Sequence, residues 1–235
     1  TYLWARTIRC EGPGCGAEVP LMRSLWLAKK SKRSVALRMV PKPQDKRVDF
    51  EIIENANAGE ERLGTVKRGS ATCPCCGYTT PVASVRKQFQ ARKGGASDAR
   101  LFCVVTTRAD EQGRFYRLPT ARDLEAVSRA NEELERRKQA HLGELSLVPD
   151  EPLPPQGTLG FRVQLYGMKQ WGDLFTPRQA LALTTLTRLV GKVGYKLQEL
   201  DNAGLAEAVL VCLSAAVDRQ ANTITSLSRW NVVGE

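Results

Sequence analysis

Apolar and polar residues alternate in short runs over roughly the first half of the chain, and from residue 120 onward the apolar positions recur every three to four residues. Residues 2–9 carry the β-formers Tyr2, Trp4, Thr7 and Ile8 and predict a strand. Residues 18–27 are mostly apolar, and the run Lys29-Lys30-Ser31-Lys32-Arg33 then marks a hairpin tip. Residues 34–40 and 48–54 predict two antiparallel strands joined by the proline-containing link 41–46. A polar, glycine-bearing loop follows over 55–62. Residues 82–91 and 101–107 predict two more strands around the basic turn Arg92-Lys93-Gly94-Gly95, and residues 113–118 a last short one carrying Phe115 and Tyr116. At these alternating positions Trp4, Trp26, Phe89, Phe115 and Tyr116 read as core side chains rather than base-stacking platforms.

Thr120-Ala121-Arg122-Asp123 is a helix start signal, and Leu124, Val127, Ala130 and Leu134 form the apolar stripe of an exposed amphipathic helix. Glu132 with Arg136 and Glu133 with Arg137 stand four apart and are expected to support it. Residues 148–157 are too proline-rich for helix or central strand and predict a linker or a surface-hugging loop. In Thr176-Pro177-Arg178-Gln179 a threonine cap, a proline suited to the first helical position and a glutamine able to reach back predict a helix to about residue 190. A second helix, apolar and small over 203–216, is expected to be buried on most sides with Cys212 in the core; residues 224–230 begin another helix or strand. The pattern predicts an α+β protein, with a β-rich part over 1–119, an amphipathic helix and proline-rich linker over 120–157, and a helical segment over 158–235.

Two clusters of cysteine carry the chemistry. Cys10 and Cys15 flank a tight Gly12-Pro13-Gly14 loop, Cys73 and Cys76 stand two residues apart, and each pair is followed at once by glycine. Two such knuckles supply four thiolates, the donor set of a closed, structural zinc ribbon, so the expected ligands are Cys10, Cys15, Cys73 and Cys76. Cys75 is left as a free thiol beside the site. Four sulfurs leave no open position for water, which argues against a catalytic zinc, and His141 is the only histidine on which other histidine chemistry would have to draw. Seven cysteines without a secretion leader predict a reducing compartment, the cytoplasm, and no run of about 18 apolar residues predicts a membrane span. The chain opens at Thr1 and reads as a piece of something longer.

The net charge of +10 is unevenly placed. Residues 1–119 hold 22 Lys/Arg against 11 Asp/Glu, whereas the remainder holds 13 against 14. All the excess therefore lies in the cysteine-bearing half, including Arg86, Lys87, Arg92 and Lys93, and points to a polyanion such as nucleic acid.

Tyr2-Leu3-Trp4-Ala5-Arg6-Thr7 before the first knuckle, Gly64-Thr65-Val66-Lys67-Arg68-Gly69 before Cys73-Pro74-Cys75-Cys76-Gly77, and Tyr166-Gly167-Met168 with Trp171-Gly172-Asp173-Leu174-Phe175-Thr176-Pro177-Arg178-Gln179 together resemble the middle of the bacterial and archaeal adenine-specific DNA methylases that contain a zinc ribbon. The resemblance spans nearly the whole chain. The glycine motif and the Asp-Pro-Pro-Tyr active-site motif of that family are absent here. It implies a parent that transfers a methyl group from S-adenosylmethionine to adenine in duplex DNA, on a base flipped from the helix. This segment would grip DNA through Lys29, Lys30, Lys32, Arg33, Lys67, Arg68, Arg86, Lys87, Arg92 and Lys93 on phosphates, and would pack its helical part on the rest of the methyltransferase. It would carry no catalytic residue and not bind S-adenosylmethionine alone. The rival expectation is a stand-alone structural zinc module that holds a protein partner.

Overall fold

A computed structural model describes residues 1–30, 33–56, 63–197 and 202–233, with only the backbone of Lys30 and Leu159. It is a mixed α+β fold in which strands largely precede helices. The chain divides into two compact units, one of Thr1–Leu124, Pro155–Met168 and Arg229–Glu235, the other of Glu125–Pro154 and Lys169–Ser228.

In the first unit the elements run β1 (Tyr2–Ala5), β2 (Thr7–Arg9), β3 (Glu18–Pro20), β4 (Trp26–Lys30), β5 (Arg33–Lys42), β6 (Arg47–Glu54), β7 (Val66–Lys67), β8 (Ser70–Thr72), β9 (Thr79–Thr80), α1 (Val82–Gln90), β10 (Arg100–Thr106) and β11 (Phe115–Arg117). They pair as four antiparallel sheets among the described residues, ordered β1-β10-β11, β2-β3, β4-β5-β6 and β7-β8-β9. The expected hairpin is present. Lys30 pairs with Arg33 and Lys42 with Arg47, so β5 and β6 run further than the apolar pattern suggests, through Pro41. The tip residues Ser31 and Lys32, and most of the expected loop at 57–62, lie outside the described residues.

Two expectations are corrected here. Residues 2–9 are two strands rather than one, because the chain changes sheets at Arg6: β1 pairs with β10 and β2 with β3. Residues 82–90 are helix α1, not strand. Val85 and Phe89, each 3% exposed, stand four apart, a spacing that puts two side chains on one face in either conformation. What favours the helix is extended Pro81 at its N-cap, fixing the entry, and a core that accepts one short helical face.

The apolar side chains form two cores. Leu3, Leu25, Leu27, Val35, Leu37, Phe50, Phe102 and Cys103 make the larger, with Tyr116 and Trp230 packed against it. Ile8, Ala17, Val19, Ala71, Val85 and Phe89 make the smaller, which also buries Cys10 and Cys73. Arg100 stands between the strands of both: it donates to the Val48 carbonyl at 2.6 Å, pairs with Asp49 and Glu18, and lies over the Phe50 ring.

Helix α2 (Ala121–Gln139) begins in the first unit and continues into the second, which also holds α3 (Pro177–Leu197) and α4 (Ala203–Thr223). Glu133 takes both Arg137, as expected, and Arg136, which was expected on Glu132; Glu132 instead accepts from Ser128. The two guanidiniums, Arg136 foremost, hold the Glu133 carboxyl at about 2. Within the second unit the proline-rich stretch is tied down at Leu153, which is buried and whose amide donates to the Lys169 carbonyl. A third correction concerns α4. Its apolar composition predicts burial, yet only Ala206 is buried, Leu205 and Val211 are more than half exposed, and Cys212 faces solvent. One face lies on α3, where Gly194 meets Leu210, and the rest has no cover among the described residues. Residues 224–230 form neither helix nor strand, and Trp230 instead donates its indole N–H to the Leu27 carbonyl at 2.7 Å.

Candidate functional site

Each knuckle is a turn closed between two short strands. β2 delivers Cys10, whose amide donates to the Ala17 carbonyl at 2.8 Å, while the Cys15 amide donates to Gly12 at 3.0 Å. The second turn repeats the plan between β8 and β9: the Cys73 amide donates to Tyr78 at 2.9 Å and the Gly77 amide to Cys73 at 2.8 Å. Gly16 and Gly77 have φ of 61° and 77°, left-handed values open to glycine without strain.

These turns bring together Cys10, Cys15, Cys73 and Cys76, whose sulfurs all lie within 4.8 Å of one another. The Cys10–Cys76 pair is 3.5 Å apart and Cys15–Cys73 3.8 Å. Tetrahedral zinc with bonds of about 2.3 Å requires sulfurs about 3.8 Å apart, so the donor set fits that ion. Backbone amides add a second layer. Gly12 donates to Cys10 at 3.4 Å, and the backbone at Ala17 and Tyr78 favours the thiolates of Cys15 and Cys76.

The four thiols do not titrate alike. Burial pushes Cys10 up, against the Gly12 amide. The Ala17 amide pulls Cys15 down but is outweighed by burial and the neighbouring sulfurs, so Cys15 is also raised. Exposed Cys76 is lowered, first by the Tyr78 amide and then by the other thiols donating toward it. Binding a divalent ion requires its ligands as thiolates, and the cluster can hold a metal by releasing the thiol protons.

The other cysteines stand apart. Cys75 is half-buried and donates to the Arg47 carbonyl at 3.4 Å, tying the second knuckle to β6. Cys103 is buried in β10, where burial pushes it up to about 12. His141 is exposed and donates from Nε2 to the Leu145 carbonyl at 2.9 Å.

No protein-family model, curated protein or solved structure matches the chain.

The basic residues singled out from the sequence fall into two groups. Lys67, Arg68, Arg86, Lys87, Arg92 and Lys93 are carried by elements around the smaller core. The β7–β8 turn meets α1 where Gly69 approaches Val82, and α1 leads directly into the turn at 91–95. Lys67, Arg68, Lys87 and Lys93 are exposed and have no acidic partner among the described residues. Arg86 lies over the Tyr166 ring, its Nε buried without a hydrogen bond. Arg92 is committed to the fold, donating to Asp98 and the Thr7 carbonyl at 2.6 Å each, to the Gln88 carbonyl at 3.3 Å, and covering Phe89.

Lys29 and Arg33 belong to the hairpin on the larger core; Lys32 and the Lys30 side chain lie outside the described structure. Lys29 sits over Trp26 at 5.5 Å. Arg33 lies 5.2 Å from the Phe115 ring centre and pairs loosely with Glu54 at 3.9 Å. The structure adds two cations that sequence reasoning missed. Arg108 covers Phe115 at 4.0 Å, and Arg114 covers Trp230 at 4.7 Å. Arg114 and Trp230 are remote in sequence, so no local signal marks that pair, whereas Arg108 and Phe115 share a stretch, 108–117, in which arginines interleave with aromatics.

The Tyr166-Gly167-Met168 segment docks on α1. Gly167 lies so close to α1 that a Cβ there would fall 2.5 Å from the Gln90 Cα. Met168 is 1% exposed and Tyr166 meets Phe89 edge-on. Further along, Asp173 accepts from the amides of Lys169 and Gln170, and Gln179 accepts from the Thr176 amide at 2.8 Å while donating its own amide to the Thr176 hydroxyl at 3.4 Å. The expected capping box starts α3.

Proposed function

We propose that the chain is the zinc-ribbon, DNA-gripping and target-recognition segment of an S-adenosylmethionine-dependent adenine-specific DNA methyltransferase. The observation that carries the reading is the four-cysteine cluster seated in the same unit as Lys67, Arg68, Lys87 and Lys93, four exposed cations without acidic partners among the described residues. A structural metal would hold both knuckles in place, and with them the β7–β8 turn and α1 that present these charges. Phosphates would take Lys29, Lys30, Lys32, Arg33, Lys67, Arg68, Arg86, Lys87 and Lys93; Arg92 serves by holding the turn rather than by reaching out. Arg108 and Arg114, stacked on Phe115 and Trp230, extend this list. The methyltransferase identity of the parent, and with it S-adenosylmethionine and the adenine target, rests on the family-like motifs. The exposed apolar side chains of α3 and α4, among them Leu189, Leu205 and Val211, favour packing on the remainder of such a chain.

The test is fluorescence anisotropy of the zinc-loaded chain with duplex DNA of several sequences at rising salt. Affinity is expected to fall steeply, by about a thousandfold between 50 and 200 mM salt if six phosphates are neutralised. Changing Lys67 and Arg68 together to Glu should weaken every duplex alike by at least about tenfold. The same uncovered α4 face would also serve a stand-alone zinc module with a protein partner. Absent DNA binding, or binding insensitive to salt, favours that reading and removes the first.

A further inference from the structure

The second unit, which holds none of the four clustered cysteines, contains a cavity of about 740 Å³ bounded by the end of α2, the loop at 141–149, α3 and α4. Its walls are mainly apolar, with Leu147, Val148, Phe175 and Leu183 prominent, and its volume falls in the range of small-molecule sites, about 300–1,000 Å³. The polar groups at its edge are few and opposed in sign. Arg188 comes from α3 and Asp218 from α4, both are exposed, and neither has a hydrogen bond or ion pair among the described residues. Arg136 and Arg137 add two more guanidiniums, which share Glu133. The wall hydroxyls are already spent as donors: Thr184 donates to the Ala180 carbonyl and Thr187 to the Leu183 carbonyl.

We infer that this cavity binds a small hydrophobic anion, an aromatic or acyl body bearing one carboxylate, sulfonate or phosphate. The apolar walls take the body and Arg188 takes the head, since guanidinium is the donor suited to planar or tetrahedral oxyanions. Arg136, Arg137 and Arg188 outnumber Glu133 and Asp218, and this surplus of one positive charge decides the sign of the ligand. Asp218 accepts from a neutral N–H or O–H on the body. The inference is independent of the DNA reading, as it uses no residue of the metal cluster or of the basic elements around it.

The zinc-loaded chain is titrated with 1-anilinonaphthalene-8-sulfonate and, in parallel, with N-phenyl-1-naphthylamine, the same aromatic body without the sulfonate. The expected result is one saturable site for the sulfonate, at least about tenfold tighter than the neutral probe, as a charge-assisted hydrogen bond provides. Arg188→Glu should weaken the sulfonate by at least about tenfold and leave the neutral probe almost unmoved. Ala221→Trp, which fills one wall, should remove both. Fluorescence that rises without saturating, a neutral probe held as tightly as the sulfonate, or an Arg188→Glu titration superimposable on the native one overturns the site. Should Ala221→Trp disturb the circular dichroism, Arg188→Glu, at an exposed position, decides alone.

Discussion

At Asp123 one carboxylate accepts from both terminal nitrogens of Arg117, at 2.6 and 2.8 Å, from the amide and hydroxyl of Thr120, and from the phenol of Tyr2. The Arg117 guanidinium, aided by Thr120, holds its pKa well below the usual carboxylate range. A depressed folded pKa contributes stability that is fully present above the unfolded value, near 4, and is lost as pH falls toward the folded one. Asp123→Asn should therefore lower the urea midpoint at pH 7, and the gap from the native protein should narrow at pH 3; equal gaps at both pH values would contradict this role. At the same scale, the cluster assigns distinct outcomes to neighbouring thiols. Serine at Cys10, Cys15, Cys73 or Cys76 should abolish stoichiometric zinc by atomic emission, whereas Cys75→Ser, whose sulfur faces the Arg47 carbonyl, should retain it.

Among elements, α1 shows how a short helix is held by what leans on it. Val85 and Phe89 anchor it from beneath, and the Tyr166-Gly167-Met168 segment closes over its end, where Gln90 donates to the Leu165 carbonyl at 3.0 Å. Because Gly167 has φ of 87° and no room for a Cβ against Gln90, Gly167→Ala should destabilise the protein by about 1–3 kcal/mol in urea unfolding. α3 is held differently, by its own first turn. Thr176→Ala removes the hydroxyl that receives the Gln179 amide and should cost about 1 kcal/mol, read by the same denaturation.

For the molecule as a whole, the ion would staple knuckles separated by more than fifty residues, with β3 to β8 enclosed between them. Metal binding at such a place is coupled to folding. Chelation by EDTA is expected to raise amide hydrogen exchange through β2, β3, β8, β9 and α1, while α3 and α4, remote in sequence from every ligand, keep their protection. Uniform loss across both units, or none in the ribbon strands, would contradict a local structural metal.

What the sequence determined by itself are the features written in local chemistry. The paired knuckles followed by Gly16 and Gly77, the hairpin of β5 and β6, the start of α2 at Thr120 and the capping box at Thr176 each depend on residues a few positions apart, so their signals survive in a linear reading. Only the tertiary structure decided the rest. A spacing of four leaves Val85 and Phe89 on one face in helix or strand, and the choice falls to the core that receives them. α4 is apolar in composition, but burial depends on how much neighbouring surface arrives, and α3 supplies one face. Arg92 reads as a surface cation until Thr7, more than eighty residues away, presents the carbonyl that occupies it. The stacking of Arg114 on Trp230 likewise joins residues that no local pattern relates, because side-chain contacts follow distance in space and not separation along the chain.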